Sequence, residues 1–160
     1  KFETVSIKDN IFKAGRVYFC NHLTPNLVWI PKYKSHKNNV LGITEITIID
    51  SNPLLVLENI NKISDRIKID KQENLITVKT NDIKISLYDK KSFKERYKNF
   101  GEEINLRKEM FGSLTFKISS FLFLRKMNQI NFHNLFKFED QNKIQILLKD
   151  YNLILEFIKI

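Results

Sequence analysis

"NLITVKTNDIKISLYD", residues 74–89, decides how this chain is read. Ile76 and Val78 alternate with Thr77 and Lys79, Asn81-Asp82 turns the chain, and Ile83, Ile85 and Leu87 alternate with Lys84, Ser86 and Tyr88. A period of two on both sides of a turn is the pattern of an antiparallel hairpin. Outward from it, short runs rich in Ile, Phe, Val and Thr recur between turn residues spaced about 8–12 positions apart, the rhythm of antiparallel β-structure. Strands are expected near 15–20, 27–31, 43–49, 54–58, 66–70, 75–80, 83–88, 114–119, 135–139, 143–149 and 152–158. The last three lie in "LFKFEDQNKIQILLKDYNLILEFI", with turns at Asp140-Gln141-Asn142 and around Asp150 and Asn152, and read as a C-terminal β-meander.

The period changes in "YDKKSFKERYKNFGEEINLRKEM". Phe93, Tyr97, Phe100 and Ile104 recur at helical spacing, and Ser92 followed by Glu95 makes a capping box, so a helix is expected near 90–109. Gly101 inside it costs about 1 kcal/mol relative to alanine and marks a place for a break. Lys91, Lys94 and Lys98 form a stripe beside the apolar side. The fold class is therefore α+β, mainly β: antiparallel sheets or a small barrel with one amphipathic helix near 90–109 and the C-terminal meander. We read one domain, 1–160, divisible into a β-rich unit over 1–109 that ends in the helix and a meander over 110–160, with no internal repeat.

The chain of 160 residues carries 27 Lys+Arg against 18 Asp+Glu, a net charge of +9 and a pI near 9.6. Such a balance favours an anionic partner. The profile of 22 lysines against 5 arginines, with 22 isoleucines, 17 asparagines and the single alanine Ala14, is also what an AT-rich genome writes, so part of the charge is codon usage. Residues 1–40 are the most basic quarter, with seven Lys/Arg and two acids. With Cys20 as the lone cysteine, no intrachain disulfide forms, and an intracellular compartment (cytoplasm, nucleus or organelle matrix) is expected. No run approaches the roughly 18 apolar residues of a membrane span, since "FLFL" at 121–124 is cut by Arg125 and Lys126.

Among candidate sites, "VWIPKYKSHKNN" at 28–39 puts Lys32, Lys34, His36 and Lys37 behind Trp29 and Tyr33. Aromatic faces with cations suit single-stranded nucleic acid. The competing reading has Trp29 and Ile30 in a core strand ended by Pro31, followed by a solvated loop. The nucleic-acid-binding set is Lys32, Tyr33, Lys34, Lys37, Lys91, Lys94 and Lys98, although a phosphate-reading surface more often uses arginine. Asp70, Asp82 and Lys84 echo the acids and lysine of PD-(D/E)xK nucleases. His22, His36 and His133 fit no metal-ligand spacing, and Cys20 reads as a buried thiol. We assign no catalytic residue, no metal and no cofactor. The apolar "FGSLTFKISSFLFL" and "LILEFIKI" suggest strands covered on both faces, by core or by a protein partner or second copy, with Ile158 and Ile160 covered as well.

Residues 66–104, a strand hairpin followed directly by an amphipathic helix, resemble the end of a pleckstrin-homology-like barrel, with the basic loop 32–37 among the preceding strands. The resemblance implies an anionic lipid or protein ligand, and some 55 residues follow where such a domain stops. The function expected from all this is a non-catalytic basic binding module, a subunit of a nucleic-acid-associated assembly. Its alternatives are a scaffold subunit binding protein through the C-terminal strands, the pleckstrin-homology-like module, and a metal-dependent nuclease.

Overall fold

The computed structural model describes residues 1–160 apart from 9, 65, 74 and 128–134, and apart from the side chains at 101, 102, 127 and 135–138. In chain order the elements are β1 (Phe2–Ser6), β2 (Tyr18–His22), β3 (Val40–Ile49), α1 (Pro53–Ile63), β4 (Lys68–Gln72), β5 (Leu75–Lys79), β6 (Lys84–Tyr88), α2 (Lys90–Arg96), β7 (Met110–Ile118), α3 (Leu122–Met127), β8 (Leu135–Glu139), β9 (Lys143–Leu148) and β10 (Leu153–Lys159). Eight strands form one sheet in the order β4-β5-β6-β3-β7-β10-β9-β8, and β1 and β2 form a separate antiparallel ribbon.

The sheet contains the same unit twice. In β3-α1-β4-β5-β6 the first strand pairs in parallel with the last, Glu45 opposite Lys84 and Ile49 opposite Tyr88, while β4, β5 and β6 meander. In β7-α3-β8-β9-β10 the first strand again pairs in parallel with the last, Ser113 opposite Ile154, and β8, β9 and β10 meander. The two βαβββ units join where β3 and β7 run antiparallel, Ile46 opposite Leu114 and Thr47 opposite Ser113. The mainly β, α+β class and the C-terminal meander are present. The wholly antiparallel arrangement and the small barrel are corrected: the sheet is mixed and not a closed barrel. The pleckstrin-homology-like barrel goes with it.

Local chemistry explains the misread elements. The run 54–58 is helix, because Pro53 opens it with a fixed φ and no wasted N–H, and the Asn52 side chain accepts from the Leu55 amide at 3.2 Å. A short apolar run is ambiguous between strand and helix. Val56, Leu57, Ile60 and Ile63 then meet the sheet at helical spacing. Residues 27–31 make no strand, since Pro25 and Pro31 each open a 3-10 turn. The helix expected near 90–109 is only α2, capped by Asp89, which accepts from the Ser92 amide at 2.8 Å, and followed by the 3-10 segment Lys98–Glu103. Cys20 is exposed, not buried, and on strand β2 it points to the same side as His22. Ile160 is 73% exposed, so the chain's own sheet leaves it uncovered.

The sheet buries both faces. On one, α1 covers Ile76, Val78 and Leu87, and α3 with Phe121 and Leu124 packs on Ile118, Ile144 and Phe157. On the other lies the linker between the two units, residues 89–106, with Phe93, Tyr97, Phe100 and Ile104 buried against Ile49, Tyr88, Met110, Leu147 and Ile154. The contact is close enough that a Cβ at Gly112 would stand 2.5 Å from Phe93 Cε2. Among the described residues no helix is long and apolar enough to cross a membrane.

Phe93→Ala is therefore expected to cost about 3–5 kcal/mol, by lost burial and the cavity left behind. Leu54→Ala, exposed on α1, should stay within about 0.5 kcal/mol. Urea unfolding of the two variants measures both.

Candidate functional site

Lys32, Tyr33, Lys34 and Lys37 are exposed, as are Lys91, Lys94 and Lys98. The first group lies in a loop against the start of β3, where Trp29, Tyr33, Lys34 and His36 line a cavity of about 520 Å³ with Val40, Ile43 and Phe116. Trp29 is 59% exposed and stacks on His22 at 5.6 Å, so it belongs to no core strand. The second group lies on the linker, whose Phe93 packs at Ile49, the far end of β3. Ile43 and Ile49 lie six residues apart, about 20 Å of strand, so the two groups sit toward opposite ends of β3. Asp70 sits on β4 opposite Thr77, and the Asp82 amide is held by Thr80 in the hairpin turn. Lys84 is bound to Glu45 at 2.8 Å, so the nuclease-like triad is not assembled. His133 lies outside the described residues.

The polar residues that the structure does bring together face the linker. One rung crosses six strands as Lys79, Lys84, Glu45, Thr115, Glu156 and Gln145. The next runs Thr77, Ser86, Thr47 and Ser113. Glu45 and Glu156 are both buried, and Arg96 reaches them from the end of α2. Its Nη2 lies 3.2 Å from Glu45 Oε2 and 3.4 Å from Glu156 Oε1, and its Nη1 donates to the Tyr88 hydroxyl at 2.7 Å. Glu156 also accepts from Thr115 Oγ1 at 3.2 Å and from Gln145 Nε2 at 2.5 Å. Tyr97 and Ser113 share a hydroxyl hydrogen bond at 2.7 Å. Buried Thr47 Oγ1 has no protein hydrogen-bond partner, and Glu45, Thr47 and Ser86 sit on adjacent strands of the same face.

Burial alone would raise the Glu45 carboxyl, but the charges of Arg96 and Lys84 win and hold it below its usual 4.5. Burial, reinforced by Glu156 and Glu45 against the pull of Arg96, pushes the Tyr97 hydroxyl up to about 12. A divalent cation does not fit this donor set. Calcium takes six to eight oxygens and magnesium a near-octahedral shell, whereas both carboxylates here are already neutralised by Arg96 and Lys84. No cluster of three or more His, Cys, Asp or Glu able to hold a metal occurs among the described residues. As folded, this cluster holds the linker in place.

The open volume lies on the other face. Beside α1 a cleft of about 560 Å³ is walled by Phe12, Val17, Phe19, Ile46, Ile48, Ile60, Ile63, Ile67, Val78, Ile85 and Phe111, with Arg16, Tyr18, Ser64, Arg66, Thr80, Asn81 and Asp82 completing its lining. Each wall has its own origin. Helix α1 gives Ile60 and Ile63, the sheet gives Ile46, Ile48, Val78 and Ile85, the segment leading into β2 gives Phe12 and Val17, and β2 itself gives Phe19. Sequence reasoning missed both assemblies. Glu45 within "GITEITII" and Glu156 within "LILEFIKI" were legible as charges centred in apolar strands, which fold only if paired. Nothing in the sequence marks the cleft.

No protein-family description matches this sequence, and no curated protein matches it. Solved structures do. Methylmalonyl-CoA epimerase from Mycobacterium tuberculosis is similar over 78% of this chain and 91% of that one, at 11% identity and a TM-score of 0.51. A hypothetical protein from Staphylococcus aureus is similar over 89% of this chain at 11% identity and a TM-score of 0.56, and this chain spans 43% of its length. These neighbours have vicinal-oxygen-chelate-like folds, and at this identity the likeness is one of fold. It overturns the expected basic module of a nucleic-acid-associated assembly: the architecture is shared with an enzyme. Of the apolar C-terminal residues, Ile118, Phe121, Leu124, Ile144, Leu147, Ile154 and Phe157 are buried in the core, while Leu122, Ile158 and Ile160 are exposed.

Arg96→Met should cost about 3–5 kcal/mol at pH 7, because it strands two buried carboxylates. Glu45 takes up its proton at lower pH in the folded than in the unfolded chain, so its stabilising contribution is full above about pH 4.5 and lost as pH falls through the folded value. The deficit of the Arg96→Met variant should accordingly shrink at pH 3.5. Tyr97 loses its proton later when folded, so its contribution fades as pH rises between about 10 and 12, and Tyr97→Phe should flatten that limb. Denaturant titrations across pH measure both effects.

Proposed function

We propose that this chain binds a small, predominantly apolar molecule in the cleft between helix α1, the sheet and the segment leading into β2. The observation that carries the reading is the cleft itself: about 560 Å³ walled by Ile, Val and Phe side chains with a few polar groups among them. That volume is within the range of small-molecule sites, which are mostly apolar with a handful of placed polar groups. The named neighbour is an epimerase, and the paired carboxylates Glu45 and Glu156 stand on the opposite face. Arg96 binds both, and Phe93, Tyr97 and Phe100 fill that face beside them, so a substrate would reach them only if residues 89–106 moved. Binding therefore belongs to the cleft that already stands open.

The test is titration with N-phenyl-1-naphthylamine, a neutral apolar fluorophore. We expect saturable one-to-one binding that Ile85→Trp, which fills the cleft from the sheet side, weakens at least about tenfold, a change of about 1.4 kcal/mol. Circular dichroism of the variant checks that the fold is kept. Unchanged affinity in a folded Ile85→Trp protein sinks the proposal.

A further inference from the structure

The arginines are distributed in a way that composition does not explain. The chain has 22 lysines and 5 arginines, yet among the described residues the cleft beside α1 is lined by two arginines, Arg16 and Arg66, and by no lysine. Codon usage that favours lysine roughly four to one would have supplied lysine wherever a solvated positive charge sufficed. A guanidinium differs from an ammonium in presenting a planar fork that meets a carboxylate or phosphate through two parallel N–H donors, and in being more weakly hydrated, which suits the edge of an apolar cavity. The two arginines come from different segments, Arg16 ahead of β2 and Arg66 between α1 and β4, and converge on one cavity. Arg16 already has a partner within the protein, and the five N–H donors of a guanidinium allow it a second acceptor. Asp82, from the β5–β6 turn, lines the same cavity and offsets one positive charge. Among the described residues the ionic lining carries a single net positive charge above apolar walls.

We propose, resting on the binding reading above, that the ligand of this cleft is an aliphatic carboxylate: a hydrocarbon chain held by Ile48, Ile60, Val78 and Ile85, with a singly charged oxyanion head held by Arg16 and Arg66. The net single charge favours a carboxylate over a doubly charged phosphate monoester. The hydrocarbon supplies affinity in proportion to its length, and the arginines supply discrimination at the head.

The test displaces bound N-phenyl-1-naphthylamine with hexanoate, octanoate, decanoate, 1-decanol and decyl phosphate at low salt. Each added methylene should tighten binding about fourfold until the cleft is full. Decanoate should bind at least about tenfold more tightly than 1-decanol, the size of a charge-assisted hydrogen bond. Arg16→Gln with Arg66→Gln should abolish that preference and leave the chain-length series intact, which separates a head-group role from a loss of folding. Equal affinities for decanoate and decanol in the native protein would overturn the carboxylate assignment and leave the binding reading standing. Decyl phosphate binding much more tightly than decanoate would overturn it in favour of a phosphate head. Dye binding with no displacement by any chain would overturn it as well. Failure of the dye itself to bind would remove the reading on which it rests, and dye displacement driven only by raising the protein concentration would assign the cleft to a second copy.

Discussion

Arg96 is the contact on which the rest of the molecule depends. Glu45 belongs to the first βαβββ unit, Glu156 to the second, and Arg96 to the linker that joins them. Two carboxylates buried on one rung, with only Thr115 between them, repel each other and lose their hydration. A guanidinium between them removes both penalties, and its donors reach Glu45, Glu156 and Tyr88 at once. The same step seats Phe93, Tyr97 and Phe100 beside it, so neutralising the seam and filling that face are one event.

Filling one face sets what the other can do. With the linker packed over Ile49, Met110 and Ile154, the open cleft lies on the other face, lined by α1, by β3, β5 and β6, and by the segment leading into β2. The fold is similar to that of an epimerase, and the central polar face of this chain holds an internal ion cluster. A fold by itself does not fix function, which lives in the site a particular chain builds on it.

Much of the fold was legible. The hairpin of β5 and β6, the meander of β8 to β10 and the long β3 follow directly from period-two alternation bounded by turn residues. The buried positions Phe93, Tyr97, Phe100 and Ile104 follow from helical spacing, although α2 ends at Arg96 and only Phe93 lies on it. Helices α1 and α3 were missed because Leu54 to Leu57 and Phe121 to Leu124 are short apolar runs that fit either period. The cap at Asn52 and the proline after it were the signals to weigh. The repeat was invisible because the first unit's helix has 11 residues and the second's has 6, and because pairing geometry, not residue identity, is what the units share. Glu45 and Glu156 were passed over although each is a charge inside an apolar strand, and Arg96 was one cation among many on a basic segment.

The sequence by itself determined that the chain is strand-rich, that residues 89–106 carry an apolar edge needing a surface to bury against, and that two strands each contain a carboxylate requiring a counter-charge. Those are properties of local spacing and of the cost of burying ions, which any fold of this chain must satisfy. Only the tertiary structure decided that one arginine serves both carboxylates, that the linker takes the face between the units, and that Arg16 and Arg66 line one cavity. Each of those depends on residues tens of positions apart meeting through parallel strand pairing, and a sequence carries no local period for such a meeting.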